Sequence, residues 1–301
     1  MGLIAGIEAG GTKFVAALAS PDGRLLDRTR IATRAPAETF AELAEWFAAT
    51  ARRHGPIAAF GVASFGPLDL DPASPTHGSF TTTPKPGWSG ANWHEALGQF
   101  GVPVAIDTDV NGAAMGEWMA GAGRGRRTVA YTTVGTGIGT GVVTDGRPLF
   151  GASHYEMGHV RPARPALDDG WHGNCPFHGD CLEGLVSGPA IIARWGTDLS
   201  QASEAQVMLV ADYLAEFAAS LALMHAPDVM IFGGGVFNTP GLLEALREKT
   251  RAKLAGYAAF YDRPLDDVIV APALGDGAGI TGAIALGRSI LSNPSPPAKS
   301  R

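Results

Sequence analysis

The chain has 301 residues, which is longer than one ordinary domain and fits two. Its 46% hydrophobic and 17% charged residues are typical of a folded protein and exclude a disordered one. The net charge of −6 provides no basic surface, so nucleic acid is not an expected partner. The chain start lacks the basic residues of a signal peptide, and no apolar run reads as long enough to cross a bilayer. We therefore expect a cytoplasmic protein that does not contact membranes.

The first third of the chain predicts strands on either side of a glycine turn at residues 9–12. Buried or returning strands are predicted at residues 3–7, 14–19, 24–31, 57–63 and 102–106. Apolar residues at helical spacing predict a helix at residues 38–54, and a second helix is expected at 113–120.

Residues 127–149 repeat this opening in outline. A predicted strand at 129–134 runs into a glycine turn at 135–139 and returns at 141–143. The following Asp145-Gly146-Arg147 echoes Asp22-Gly23-Arg24, so the similarity extends beyond the glycines. This favours a duplication over two hairpins of separate origin. It predicts an α/β fold of two similar domains that face each other across a cleft.

The remaining chain predicts further alternation of helices and strands. Helices are expected at residues 204–225, 240–255 and 277–291, with strands at 229–232 and 267–271. We predict a first α/β domain over residues 1–106 and a second over 107–291, with the helix at 277–291 packing back onto the first. The tail at 292–301 is rich in Pro, Ser and Lys and is expected to be disordered.

The first glycine turn is a candidate phosphate site formed by Gly10, Gly11, Thr12 and Lys13. Successive backbone N–H groups on such a turn can cradle phosphate oxygens, and Thr12 and Lys13 add a hydroxyl and a cation. The P-loop pattern differs, because it has a longer glycine spacing and a following helix. Taken alone, this turn fits an ordinary hairpin equally well.

Two further glycine segments strengthen the nucleotide hypothesis. The second hairpin alternates Thr and Gly, so that with the first it can hold a polyphosphate from both sides. A third segment follows a predicted strand and lets an adenine or ribose approach the backbone. The candidate residues on these two segments are Thr133, Gly135, Thr136, Gly233, Gly234, Gly235 and Val236.

Asp109 is the candidate general base. It follows the apolar run at 102–106 and precedes a predicted helix, where a carboxylate can take the proton of an attacking hydroxyl. Phosphoryl transfer needs little more than positioning and charge neutralisation. A lone aspartate at this place is otherwise read as a helix N-cap.

A Cys/His cluster predicts a zinc site. Cys175, His178 and Cys181 are spaced three apart, and one more ligand completes a closed tetrahedral site. His159 is the best fourth candidate, with His154 and His172 as competitors. The loop at residues 161–174 is rich in Pro, Asp and Gly, so a metal would hold it together.

These motifs together resemble one known family. Residues 8–13, Asp109, residues 156–159 and the Cys/His cluster through Glu183 resemble the ROK family of sugar kinases and related repressors. Residues 61–68 and 81–88 are similar to its bacterial fructokinase branch. The resemblance covers residues 3–288.

The resemblance implies the duplicated actin-like, ribonuclease-H-like fold of sugar kinases and ATP-dependent phosphorylation of a hexose, with fructose preferred. It implies that Asp109 is the base, that Glu156, His159, Glu183 and Gly66 bind the sugar, and that Thr136, Pro189 and residues 233–236 contact ATP. It also implies Mg²⁺ as a cofactor and a homodimer. The family often has Asp where this chain has Glu8, which leaves direct contact with Mg²⁺ open. His178 replaces a common Cys, and imidazole remains a good zinc ligand.

Several alternatives stay open. Mannose, glucose or an N-acetylated hexosamine can replace fructose as the acceptor of a kinase in this family. A repressor is disfavoured, because the first strand starts at Leu3 and leaves no room for a helix-turn-helix domain. A non-catalytic sugar-binding protein could keep Glu156 and Glu183 but would not need Asp109 or two phosphate hairpins.

Overall fold

The computed structural model describes residues 2–83, 85–166, 168 and 170–292. The chain forms two compact units. The first comprises Met1–Ala120, Pro148–His154 and Asp276–Arg301, and the second comprises Gly121–Arg147 and Tyr155–Gly275. The predicted disordered tail lies outside the described residues, apart from Ser292 at the end of the last helix.

The first unit is built on a five-stranded sheet in the order β3-β2-β1-β4-β5. Its strands are β1 (Leu3–Ala9), β2 (Lys13–Ala19), β3 (Leu25–Ala32), β4 (Ile57–Ser64) and β5 (Val104–Thr108). Strands β1, β2 and β3 are antiparallel neighbours, whereas β1, β4 and β5 run parallel. The continuous apolar sequence of β1 fits this central place, because parallel strands are buried on both faces.

Helices cover both faces of this sheet. They are α1 (Pro36–His54), α2 (Trp93–Leu97), α3 (Asp109–Ala120) and α8 (Ala278–Ser292). Leu43 and Phe47 of α1 join an aromatic cluster on one face, and Ile280 and Ile284 of α8 pack on the other.

The packing of α3 decides where the first unit ends. A Cβ at Gly282 of α8 would lie 1.7 Å from the carbonyl oxygen of Gly112 of α3, so the two helices touch backbone to backbone. Residues 109–120 were expected in the second domain from their place in the chain. They lie in the first unit because this glycine contact holds them to α8.

The second unit repeats the sheet of the first strand for strand. Its order is β10-β9-β6-β7-β8. The strands are β6 (Thr128–Val134), β7 (Ile138–Thr144), β8 (Arg147–Pro148), β9 (Val229–Gly233) and β10 (Ile269–Val270). An antiparallel hairpin, β6–β7, is again followed by a parallel neighbour, β9, as in β1–β2 and β4. The predicted duplicated α/β fold is thereby confirmed.

The helices of the second unit are α4 (Leu182–Val186), α5 (Gly188–Trp195), α6 (Glu204–His225) and α7 (Leu242–Leu254). Helix α6 begins with a capping box of Ser203 and Gln206. By length and composition α6 could cross a membrane, which corrects the sequence-based statement that no run is long enough. However, 61% of its apolar window is buried, so α6 is the core helix of this unit.

Most predicted elements are present within a few residues of their expected bounds, and three short helices were missed. Helices α2 and α4 have five residues each, too few for a periodic pattern. Helix α5 has a signal, since Ser187 caps it and Pro189 occupies its first turn. The strand predicted at 267–271 is reduced to Ile269–Val270.

Candidate functional site

The carbonyl groups of the turn between β1 and β2 accept hydrogen bonds from within the first unit. The Gly10 amide donates to the Lys13 carbonyl over 3.0 Å. Thr33 donates its hydroxyl to the Gly10 carbonyl at 2.8 Å and its amide to the Thr12 carbonyl at 3.0 Å. The amides of Gly11 and Thr12 donate to no acceptor among the described residues. These two amides are therefore available to an anion, while the Gly10, Thr12 and Lys13 carbonyls are occupied.

Two carboxylates lie beside this turn in the first unit. Glu8 is near the end of β1, and Asp109 begins α3 directly after β5. Burial raises the pKa of Glu8, and the charge of Asp109 raises it further. Glu8 Oε2 is buried and has no hydrogen-bond partner in the described part of the chain. A buried oxygen in this state is a position for a cation or a proton.

The N-cap of α3 is Thr108, the residue before Asp109. Thr108 Oγ1 accepts the Asn111 amide at 3.2 Å, so α3 is capped by Thr108. Asp107, which sequence reasoning passed over, is half-buried, and desolvation raises its pKa. Its Oδ1 accepts from Asn111 Nδ2 and from the Thr108 amide, both at 2.7 Å. Asp107 therefore orders the start of α3.

The segment after β4 contains Gly66, a predicted sugar-binding residue. Ser64 ends β4 and is buried, and its Oγ accepts from the indole of Trp93 at 3.3 Å. The Gly66–Pro67 peptide is cis. Gly66 lies beside His154, whose Nε2 would be 3.9 Å from a Cβ at that position. His154 therefore belongs to the first unit and is separate from the Cys/His cluster.

The second hairpin opens onto a cavity of about 640 Å³ within the second unit. The lining residues are Gly135, Thr136, Gly188, Pro189, Ile191, Ile192, Asp198, Leu199, Ser200, Gly235, Val236, Asn238 and Thr239. The Gly188 amide at the start of α5 donates to the Gly135 carbonyl at 2.8 Å, which fixes the hairpin against the helix. This volume is in the range of small-molecule pockets.

Five of the predicted nucleotide-binding residues line this cavity, namely Gly135, Thr136, Pro189, Gly235 and Val236. Three others, Thr133, Gly233 and Gly234, are not among its lining residues. Thr133 of β6 lies between Gly139 of β7 and Gly233 of β9. Gly234 has φ of +91°, and a Cβ there would meet the Val134 carbonyl oxygen at 2.4 Å, so only glycine fits. Sequence reasoning missed the walls at residues 198–200 and 238–239, which follow no motif.

The four predicted metal ligands form one cluster in the second unit. The ligand atoms of His159, Cys175, His178 and Cys181 all lie within 4.8 Å of one another. His159 Nδ1 is 3.5 Å from Cys181 Sγ and 3.8 Å from Cys175 Sγ. Cys175 Sγ is 3.7 Å from His178 Nδ1. Around a tetrahedral zinc ion, a ligand nitrogen and a ligand sulfur lie about 3.6 Å apart. The observed nitrogen–sulfur distances are close to this value, so the four side chains fit a zinc ion. His172 is outside the cluster.

Local structure brings these ligands together. Cys175 and Gly179 exchange backbone hydrogen bonds, which closes the turn that presents His178. Cys181 caps α4 by accepting the Gly184 amide at 3.4 Å. Burial raises the pKa of the Cys181 thiol to about 11, and the neighbouring Cys175 adds to the shift.

Glu183 connects the Cys/His cluster to the second hairpin. Its Oε2 accepts the Ile138 amide at 2.9 Å, and its Oε1 is 4.0 Å from His159 Nε2. The two nitrogens of His159 therefore face different partners, Nδ1 the thiols and Nε2 the carboxylate. Glu156 is exposed and immediately precedes the short 3-10 helix Met157–His159.

Comparison with known proteins agrees with this geometry. The sequence profile of the ROK family matches residues 4–290. The chain belongs to the ROK family. A fructokinase from Zymomonas mobilis subsp. mobilis is 44% identical over 289 residues, which cover 93% of this chain and 94% of that protein.

Solved structures of ROK proteins share this fold. The crystal structure of a ROK hexokinase from Thermus thermophilus superposes with a TM-score of 0.80 at 30% identity, covering 96% of this chain and 99% of that chain. A ROK glucokinase from Streptomyces griseus, crystallised with glucose and AMPPNP, gives 0.70 at 26% identity, covering 96% and 100%. The predicted sugar-kinase fold is confirmed by these matches.

Proposed function

We propose that this ROK protein is an ATP-dependent fructokinase that transfers the terminal phosphoryl group of ATP to the 6-hydroxyl of fructose. The observation that carries the proposal is the 44% identity to a fructokinase over nearly the full length of both chains. The two glycine hairpins and the acidic pair Glu8 and Asp109 support a kinase over a protein that only binds sugar.

Asp109 is the general base of the proposed reaction. Its carboxylate takes the proton of the attacking hydroxyl, and a bound metal ion would help to neutralise the charge of the phosphates. The residues fit Mg²⁺, because the buried Glu8 Oε2 lacks a hydrogen-bond partner in the described structure and lies next to Asp109. We assign ATP to Gly10, Gly11, Thr12 and Lys13 on the first hairpin. On the second unit we assign it to Thr133, Gly135, Thr136, Pro189, Gly233, Gly234, Gly235 and Val236.

We assign a structural zinc ion to His159, Cys175, His178 and Cys181. Four protein ligands close the coordination sphere, so the ion holds the loop rather than activating water. A divalent cation also favours the thiolate form of Cys181, opposing the effect of burial. The ion fixes Nδ1 of His159, which leaves Nε2, together with Glu156 and Glu183, to hold sugar hydroxyls.

Fructose is the acceptor we favour. The fructokinase relative is 44% identical, whereas the named hexokinase and glucokinase are 30% and 26% identical. We assign residues 64–67, which include Gly66, to one wall of the sugar site. This segment is anchored by the hydrogen bond between buried Ser64 and buried Trp93. A rigid wall of this kind excludes a bulky N-acetyl group. Mannose and glucose remain alternative acceptors. A homodimer in the cytoplasm, where thiols stay reduced, is part of the same proposal.

A direct assay tests the proposed activity. Purified protein with MgATP should release ADP when fructose is added and not when sugar is omitted, and the sugar product should carry its phosphate at carbon 6. Omission of Mg²⁺ should abolish the release. ADP release that does not depend on any of fructose, mannose or glucose would overturn the proposal.

A further inference from the structure

Lys85 lies on the first phosphate hairpin although it is 74 residues away in the chain. Its ammonium group donates a hydrogen bond to the carbonyl oxygen of Gly11. The Gly10 and Thr12 carbonyls are taken by Thr33, and the Lys13 carbonyl by Gly10. The Lys85 contact thus completes a hairpin whose carbonyls are all engaged and whose Gly11 and Thr12 amides donate to no acceptor among the described residues.

The core of the first unit holds Lys85 in this position. The Trp88 amide donates to the Lys85 carbonyl at 3.2 Å, and Trp88 itself is fully buried. The Trp88 ring packs at 5.5 Å from Phe14, the second residue of β2, which leaves the same hairpin. Pro86 restricts the backbone next to Lys85. These contacts fix the backbone of the segment and thereby position the Lys85 ammonium group at the hairpin.

Lys13, the lysine within the hairpin, also pairs with a carboxylate. Lys13 Nζ lies 3.7 Å from Asp276 Oδ2, and Arg30 lies 3.9 Å from the same oxygen. The nearby carboxylates Glu8 and Asp109 add negative charge beside the turn. An anionic phosphate at the Gly11 and Thr12 amides therefore needs a further cation. An ammonium has three donors, and Lys85 uses one of them on Gly11.

We propose that Lys85 is a phosphate-binding residue of the first hairpin, which bridges the Gly11 carbonyl and the terminal phosphates of ATP. This inference rests on the proposed kinase function. It adds a residue from the stretch 81–88, which the sequence linked to the fructokinase branch. The lysine side chain is flexible and its ammonium group imposes no single binding geometry. Lys85 can therefore stay in contact with the phosphoryl group while that group is transferred.

The test compares nucleotides that differ in their terminal phosphates. Lys85→Met keeps the alkyl stem and removes the charge, so it should weaken AMPPNP binding by about 10- to 100-fold, the effect of one lost hydrogen bond to a charged group. AMP lacks those phosphates, and its affinity should not change. Lys85→Arg should retain most of the AMPPNP affinity. Lys249→Met, which removes an equal charge from α7 in the second unit, is the matched control.

Calorimetric titration of each variant separates the outcomes. An AMPPNP affinity of Lys85→Met equal to that of the wild type would overturn the proposal. An equal loss of AMP and AMPPNP would also overturn it, because Lys85 would then only shape the turn. The binding comparison does not use fructose, so a wild type without fructose-dependent ADP release would refute the kinase function and leave the Lys85 result readable.

Discussion

Removal of the proposed zinc ion should loosen the loop that leads to Glu183 on α4. The ion would cross-link His159 to Cys175 and Cys181, closing a loop of about 16 residues between the first two. Closing a loop of this length reduces the entropy of the unfolded chain by an amount worth about 3 kcal/mol. Since about 2 °C is expected per kcal/mol in a chain of this size, the metal-free protein should melt about 6 °C lower.

Sugar kinetics should respond more than nucleotide binding. Without the ion, His159 Nδ1 loses its anchor, so the 4.0 Å contact of its Nε2 with Glu183 is no longer fixed. We expect kcat/KM for fructose to fall at least about tenfold, which corresponds to one weakened hydrogen bond. The affinity for AMPPNP should be unchanged, because none of the four proposed zinc ligands lines the cavity beside Gly135.

The assay combines metal analysis, thermal melting and kinetics on chelated and reconstituted protein. His178→Ala should lower the zinc content from about one per chain, which a four-ligand site predicts. His172→Ala is the matched control, because that imidazole lies outside the cluster. Metal-free protein with unchanged melting and unchanged fructose kinetics would refute this reasoning.

Three further predictions concern single residues. Asp109→Asn should fold normally and reduce kcat by about 100-fold or more; turnover close to that of the wild type would remove Asp109 as the base. Gly135→Val adds a side chain into open space at the cavity, so it should weaken ATP far more than fructose with little change in melting temperature; equal loss of both ligands would show the loop to be misassigned. Asp168 is buried and bonded to Arg164, Arg194 and Tyr213. Burial raises its pKa, but these hydrogen bonds outweigh burial and lower the pKa to about 2. Its stabilisation is therefore complete above pH of about 4 and is lost as pH falls through about 2. Asp168→Asn should cost about 3 kcal/mol at neutral pH, and chemical denaturation that gives the same difference at pH 7 and pH 2 would contradict the assignment.

The sequence predicts this fold well wherever local patterns repeat. The two glycine hairpins and their echoed Asp-Gly-Arg turns identify the duplication, which the matching strand orders confirm. Cysteine and histidine spacing likewise identifies a cluster that the chain brings together. In both cases the signal lies within a short stretch of chain.

Features that depend on distant contacts were not predictable. The contact of Lys85 with Gly11 and the packing of α3 on α8 join segments far apart in the chain, and no local pattern encodes them. Asp107 and Asp109 are alike in sequence, and the hydrogen bond from the Asn111 side chain identifies Asp107 as the structural carboxylate. The salt-bridge cluster of Asp168 has no periodic signature either, because its partners lie in the loop and on two helices.

The central claim is that this ROK protein phosphorylates fructose in preference to other hexoses. Specificity constants measured for fructose, mannose, glucose, N-acetylglucosamine and N-acetylmannosamine under one set of conditions test it most directly. The account predicts the highest kcat/KM for fructose, a smaller value for mannose, and little turnover of the two N-acetylated sugars. A value for glucose or N-acetylmannosamine well above that for fructose would contradict it.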